Sequence, residues 1–478
     1  MSIRLKGYDF MSLKNGVLWS AVDRFSVQGL QFFMTIVITR YVTPEEFGLV
    51  AMLAIFIAVS NSIIDSGFSN ALIQKQDRTD DDFSVVFYYN IIIAIFLYIL
   101  LYFSSSLIAD FYHETRLELL TKVVCLNLIL SSLNVVPNAK LTISMDFKSI
   151  TKVSLISGLV SGFIGVIMAI MGFGVWSIVF QSFLQYAIKT VLLWRIIKWL
   201  PLLNFSTNSF KSLFGFGSKL MLSGLLHTIY LNLYTLVIGK FFNAHIVGLF
   251  NRANSLAQYP STNIVNILNR VYFPALCKLQ KEPIPFSQLF HSYLRMACFI
   301  IFPLSTLFAA MADPLIRFLL TEKWVGSVVP LQIISIAYMI YPVLLINNQP
   351  LQALNHTTMF LIAEIIKKTV AVIILFCSLN YGLIFLCFSI LIYNLLDAFI
   401  ILLFTRSIMD TGFKVQAKQL SPYLVCALVA GFATHFFVTH VKMHLLPLLI
   451  IGFFIDISLY IMSCKVFKIQ EVNLISKL

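Results

Sequence analysis

The chain has 478 residues, of which 59% are hydrophobic and only 12% charged, and its mean hydropathy is +0.89. That apolar share exceeds what the core of a water-soluble domain absorbs, so a soluble enzyme is excluded. The formal charge of +13 is dispersed over short connections rather than gathered into one patch, which excludes a nucleic-acid-binding surface and leaves a polytopic membrane protein.

Apolar stretches lie near 15–40, 46–70, 84–109, 117–138, 151–171, 175–197, 218–240, 246–272, 291–312, 328–350, 359–379, 383–406, 421–440 and 446–466. Each is long enough, or nearly so, to cross about 30 Å of hydrocarbon as a helix. The alternation that marks a membrane barrel is missing, so an all-α protein of about 14 transmembrane helices is expected. Arg4, Lys6 and Lys14 precede the first stretch. That stretch is longer than a signal-peptide core, and we read it as a retained helix. With the N-terminus cytoplasmic, 21 of the 34 Lys and Arg fall on the inner side, eight on the outer side and five within helices. The positive-inside rule then accounts for the basic charge and places both termini in the cytoplasm.

"TIVITRYVTPEEFGL" at 35–49 returns as "TLVIGKFFNAHIVGL" at 235–249. Thr35, Val37, Ile38, Gly48 and Leu49 recur as Thr235, Val237, Ile238, Gly248 and Leu249. The copies join spans one and two and spans seven and eight, so they point the same way through the membrane, as in transporters built from parallel repeats. The expected organisation is two parallel six-helix lobes plus a C-terminal helix pair. The N-terminal lobe is 1–197 with spans one to six, followed by a cytoplasmic connecting amphipathic segment at 198–217. The C-terminal lobe is 218–406 with spans seven to twelve, and 407–478 holds the last two spans and a cytoplasmic tail.

The connection around 198–219 places Phe205, Phe210, Leu213 and Phe214 beside Ser209 and Lys211, the pattern of a short helix lying on the inner membrane surface. Residues 73–83 read as a solvated turn and 280–286, "QKEPIPF", as a proline-stiffened loop. The seven cysteines lack a Cys-x-x-Cys pair and suggest neither disulfides nor a metal site.

Catalytic motifs are missing, so no enzyme activity, catalytic residue, metal or cofactor is expected. Polar residues inside the spans remain, and these are functional candidates because their burial in hydrocarbon is costly. In span one, Arg24, Gln28 and Gln31 share a helical face, and Asp23 lies off it. In span six Gln181, Gln185 and Lys189 recur at four-residue steps. Span eight carries Asn251, Asn254, Gln258, Thr262, Asn266 and Asn269 at steps of three and four, with Arg252 and Asn263 alongside. Two or so amides per helix serve as interhelical glue. Six in register exceed that need and point to a hydrated cavity suited to sugar hydroxyls, with Arg24, Lys189 and Arg252 supplying positive potential for an anionic group. Asp23, Asp65 and Asp397 are candidate proton or sodium sites, or hydrogen-bonded structural acids. Glu364, Lys367 and Lys368 are read as an intrahelical ion-pair set.

"RYVTPEEFGLVAM" (40–52), "DSGFSNALIQK" (65–75), "FGSKLMLSGLLH" (216–227), "GLFNRANSLAQYP" (248–260) and "NRVYFPALCKLQ" (269–280) resemble segments of bacterial Wzx-type flippases. These form the polysaccharide transporter family of the superfamily that also holds multidrug exporters and the peptidoglycan-precursor flippase. The resemblance implies alternating-access movement of an undecaprenyl-pyrophosphate-linked oligosaccharide from the cytoplasmic to the periplasmic leaflet of the bacterial inner membrane. O-antigen, capsule or exopolysaccharide assembly would consume it. It also implies two six-helix lobes around a cationic cavity, membrane lipid as a contact, and a proton or sodium ion and a glycan polymerase as candidate partners, with no nucleic acid. Arg24 and Arg252 are similar in location to arginines of the peptidoglycan-precursor relatives. A cation-coupled drug exporter is the alternative in the same fold, with Asp23 as its coupling acid. A glycan polymerase or ligase would need a large outer loop, which this sequence lacks.

Overall fold

A computed structural model describes residues 29–472 apart from 66, 76, 204–205, 410 and 470. Among the described residues there are helices and no strands. Nine helical passages among the described residues are long and apolar enough to cross a membrane: Pro44–Asp65, Asp80–Phe103, Arg116–Ile143, Phe147–Ile170, Pro283–Ala310, Glu322–Ala353, Leu383–Arg406, Phe413–His440 and Leu445–Val466. Four more long helices, Val175–Ile197, Thr207–Phe241, Ala244–Lys278 and Thr357–Ser378, carry more polar or charged side chains. The chain divides into two compact units, one ending at Gly248 and the other beginning at Leu249.

The first unit contains the helix at 29–41 (α1), Pro44–Asp65 (α2), Phe68–Gln74 (α3), Asp80–Phe103 (α4), Ser105–Tyr112 (α5), Arg116–Val124 (α6), Leu126–Ile143 (α7), Phe147–Ile170 (α8), Val175–Ile197 (α9), Thr207–Phe241 (α10) and the start of Ala244–Lys278 (α11). The sequence repeat is also a structural one. Helices α1 and α10 end 200 residues apart, at 41 and 241, and α2 and α11 begin at Pro44 and Ala244. Each start is capped from the residue before it. Thr43 and Glu46 form a capping box, in which the Thr43 N–H donates to Glu46 Oε2 at 2.8 Å and the Glu46 N–H donates to Thr43 Oγ1 at 3.4 Å. Asn243 Oδ1 accepts from the Ile246 N–H at 3.0 Å. The two first turns cross so closely that a Cβ at Gly48 would overlap the Ala244 carbonyl, and one at Gly248 would overlap the Pro44 carbonyl. Only glycine permits that approach.

Several boundaries differ from those expected. The second span stops at Asp65, and Gly67, at φ 69°, turns the chain into the separate helix α3. The stretch expected as a surface helix is the opening of the 35-residue α10, and its Phe210 and Leu213 pack with Phe68, Phe83 and Phe87. The segment before it is stitched down: Trp199 Nε1 donates to Asp80 Oδ1 at 3.2 Å, and the Leu202 N–H donates to Ser84 Oγ at 2.8 Å. Lys140 pairs with Asp80 at 3.1 Å and lies 4.5 Å from the Trp199 ring centroid.

The second unit continues α11 and adds Pro283–Ala310 (α12), Ala312–Leu320 (α13), a 3-10 turn at Glu322–Ser327, Val328–Met339 (α14), Tyr341–Ala353 (α15), Thr357–Ser378 (α16), Leu383–Arg406 (α17), Phe413–His440 (α18) and Leu445–Val466 (α19). The expected proline-stiffened loop is shorter than its sequence suggested, because Pro283 opens α12. At a first helical position the ring costs no backbone hydrogen bond. The core gathers Phe290, Tyr293, Leu294 and Cys298 with Cys426, Tyr460 and Cys464. The tail is tied to it through buried Glu471, which accepts from Arg295 Nε at 2.7 Å and from the Tyr423 hydroxyl at 2.5 Å.

Candidate functional site

The most polar of the long helices described is α11. At 1.5 Å per residue its 35 residues run about 52 Å, longer than the hydrocarbon layer. On one side Ala253, Leu256 and Ala257 are shielded from solvent, and Val265, which falls among the amides, is shielded too. The other bears Asn251, Asn254, Gln258, Thr262, Asn266 and Asn269, with Asn263 alongside, all half-buried. Asn254 Oδ1 accepts from the Tyr338 hydroxyl of α14 at 3.2 Å. Thr262 Oγ1 bonds back to the Gln258 carbonyl at 2.9 Å. Asn269 Oδ1 is enclosed with no hydrogen-bond partner among the described residues. The Arg252 guanidinium lies 5.7 Å from the centroid of buried Trp324, a cation–π arrangement. Pro260, within this helix, removes the donor for the Leu256 carbonyl and so leaves another acceptor free.

In the first unit, Gln181, Gln185 and Lys189 on α9 are half-buried, and Gln31 on α1 is likewise. Gln181 packs against α8 at Gly165, where an added Cβ would lie 2.9 Å from its own Cβ. Asn61 of α2 accepts from Ser131 of α7 at 2.8 Å, the glue role expected of an isolated amide. Asp23, Arg24 and Gln28 lie outside the described residues.

The candidate coupling acids have distinct surroundings. Asp65 closes a local cap, accepting from the Ser69 hydroxyl at 2.5 Å and the Ser69 N–H at 3.4 Å. Asp397, midway along α17, is buried, accepts from the Tyr393 hydroxyl at 3.1 Å and lies 3.4 Å from Lys367 Nζ. Lys367 also pairs with Glu364 and reaches Asn348 Oδ1 at 3.5 Å. The set read as intrahelical therefore extends to α15 and α17.

Tyr338, Trp324, Gln416 and Asp456 escaped the sequence reading. Tyr338 and Trp324 join the α11 face only through tertiary contact. Gln416 of α18 and Asn347 of α15 exchange two buried hydrogen bonds, of 3.0 and 2.7 Å. Asp456 of α19 is fully buried and accepts from the Thr434 hydroxyl at 3.3 Å. Its signal was a lone carboxylate inside an apolar run.

A family model described as polysaccharide biosynthesis protein matches residues 37–329, from α1 through the start of α14, and so contains all but the first two residues of the repeat's first copy, the whole second copy and the whole α11 face. The chain is 26% identical over 327 residues, 68% of each protein, to the teichuronic acid biosynthesis protein TuaB of Bacillus subtilis (strain 168). It is 24% identical over 322 residues, 66% of this chain and 64% of its relative, to the lipopolysaccharide biosynthesis protein WzxC of Escherichia coli (strain K12). Its fold resembles that of the lipid II flippase MurJ in an inward closed conformation, with a TM-score of 0.76 at 16% identity over 94% of this chain and 98% of that one. With its family model covering well over half of the sequence, this chain is a multi-pass membrane protein that belongs to the polysaccharide biosynthesis protein family.

Proposed function

We propose that this protein is a flippase that moves an undecaprenyl-pyrophosphate-linked oligosaccharide from the cytoplasmic to the periplasmic leaflet by alternating access, feeding O-antigen, capsule or exopolysaccharide assembly. The observation that carries the reading is the half-exposed amide face of α11, set in a chain of membrane-spanning helices. A glycan crossing hydrocarbon unaided would lose hydrogen bonds at several kcal/mol each, on the order of 4–8 in an alkane-like phase. A row of amides returns those bonds without imposing charge. Arg24, Lys189 and Arg252 would offset the pyrophosphate, while Gln28, Gln31, Gln181, Gln185, Asn251, Asn254, Gln258, Asn266 and Asn269 would meet hydroxyls. The reading includes fourteen spans, two six-helix lobes, an inner-membrane location and cytoplasmic termini. The family membership and the MurJ-like fold support it.

The test replaces Asn254, Gln258 and Asn266 together by leucine in the native host. Lipid-linked intermediate should accumulate and surface glycan should fall, with the protein inserted at normal abundance. Unchanged surface glycan from the inserted variant refutes the proposal. Gain of drug sensitivity on deletion in an efflux-deficient host, with surface glycan intact, would favour a drug exporter instead.

A further inference from the structure

Three helices of the second unit converge on one buried amine. Lys367, midway along α16, is 3% exposed, and its Nζ is surrounded by oxygens: the Glu364 carboxylate in direct contact, Asp397 Oδ1 of α17 at 3.4 Å and Asn348 Oδ1 of α15 at 3.5 Å. Two carboxylates and an amide carbonyl are the donors that hard cations select. The fit is uneven. Charge-assisted N–H···O bonds run about 2.7–2.9 Å, so Lys367 is held tightly by Glu364 and loosely by the other two. Asp397 Oδ1 is buried and accepts no hydrogen bond among the described residues, so its compensation is coulombic and aimed at the position that the ammonium fills. Lys368 Nζ, 3.7 Å from Glu364 Oε2 and 37% exposed, adds a second positive charge beside Glu364 from outside. A simple structural ion pair would need Glu364 and Lys367 alone, which lie on one helix. The oxygens contributed by α15 and α17 add a cage without adding a good hydrogen bond.

We propose that α15, α16 and α17 build a monovalent-cation site whose occupant is the tethered Lys367 ammonium, so that the site takes up free sodium only when that amine is removed. In the wild-type protein the cluster is then self-sufficient, and Asp397 is not open to exchange with an ion from either side of the membrane.

The experiment is thermal unfolding of the purified full-length protein in sodium chloride against choline chloride at matched ionic strength. Wild type should show no saturable response. Lys367→Ala should melt lower in choline and regain several degrees as sodium saturates, and Lys367→Gln should follow it. In the Lys367→Ala/Asp397→Asn double variant the sodium response should be lost. A saturable sodium response in wild type overturns the proposal, as does indifference of both single variants to lithium, sodium and potassium. Failure of both single variants to insert in sodium-rich medium, while the double variant inserts, overturns it too, because a competent site would have been filled there. Stability is the readout, so failure of the glycan proposal would leave the result unaffected.

Discussion

Gly48→Ala is the most direct probe of the repeat. The new methyl group would fall on the Ala244 carbonyl and lie 3.0 Å from the Gly248 nitrogen. The obstruction is helical backbone rather than the end of a flexible side chain, so α2 and the start of α11 must move apart. Overpacking of this kind costs about 1–3 kcal/mol, and a backbone obstacle places it at the upper end. For a cooperative unit of this size, each kcal/mol lowers the melting temperature by about 2–4 °C, giving a fall of about 6–12 °C. Gly248→Ala meets the Pro44 carbonyl in the mirror arrangement and should cost as much. The double variant should cost clearly less than the sum, because the first methyl opens the gap that the second uses. Melting curves of the three purified variants in one detergent measure this. A Gly48→Ala protein that melts with wild type, or strictly additive losses, would refute the close crossing.

The Asn347–Gln416 pair should behave as a unit: Gln416→Leu strands a fully buried amide and costs about 1–3 kcal/mol, while adding Asn347→Leu recovers part of that loss in a double-mutant cycle. Glu471→Ala should destabilise the second unit by about 1–3 kcal/mol by leaving Arg295 and Tyr423 without their shared acceptor, seen as earlier proteolysis of the tail. Hydrogen bonds from Arg116 hold the Glu114 carboxyl below its ordinary range. A lowered pKa contributes stability above the unfolded value that is lost as pH falls through the folded one, so wild type should lose more stability in acid than Glu114→Gln does. Arg252→Met should keep its packing on Trp324 yet lower export, scored as accumulated lipid-linked intermediate at normal protein abundance.

Much of the candidate site was legible before any coordinates, because a helix converts spacing into a face. Asn251, Asn254, Gln258, Thr262, Asn266 and Asn269 had to share one side of α11 once that segment was helical. The same logic cannot name a neighbour from another helix. Tyr338 sits in an apolar stretch and Trp324 in a short connection between two such stretches, neither with a mark of the polar face that it borders. Lys367 reads as the partner of Glu364 because three residues separate them, whereas Asp397 lies thirty positions away in sequence. Asp23, Arg24 and Gln28 remain expectations from spacing.

Membrane residence, helical class and the twofold repeat follow from the chain alone, since hydropathy and backbone hydrogen bonding are local requirements that each segment meets for itself. Which glycine opposes which carbonyl, which amide finds its pair, and whether a buried amine meets one carboxylate or two depend on how separate helices come to lie side by side. Those contacts are long-range in sequence and short-range in space, so only the tertiary structure decided them.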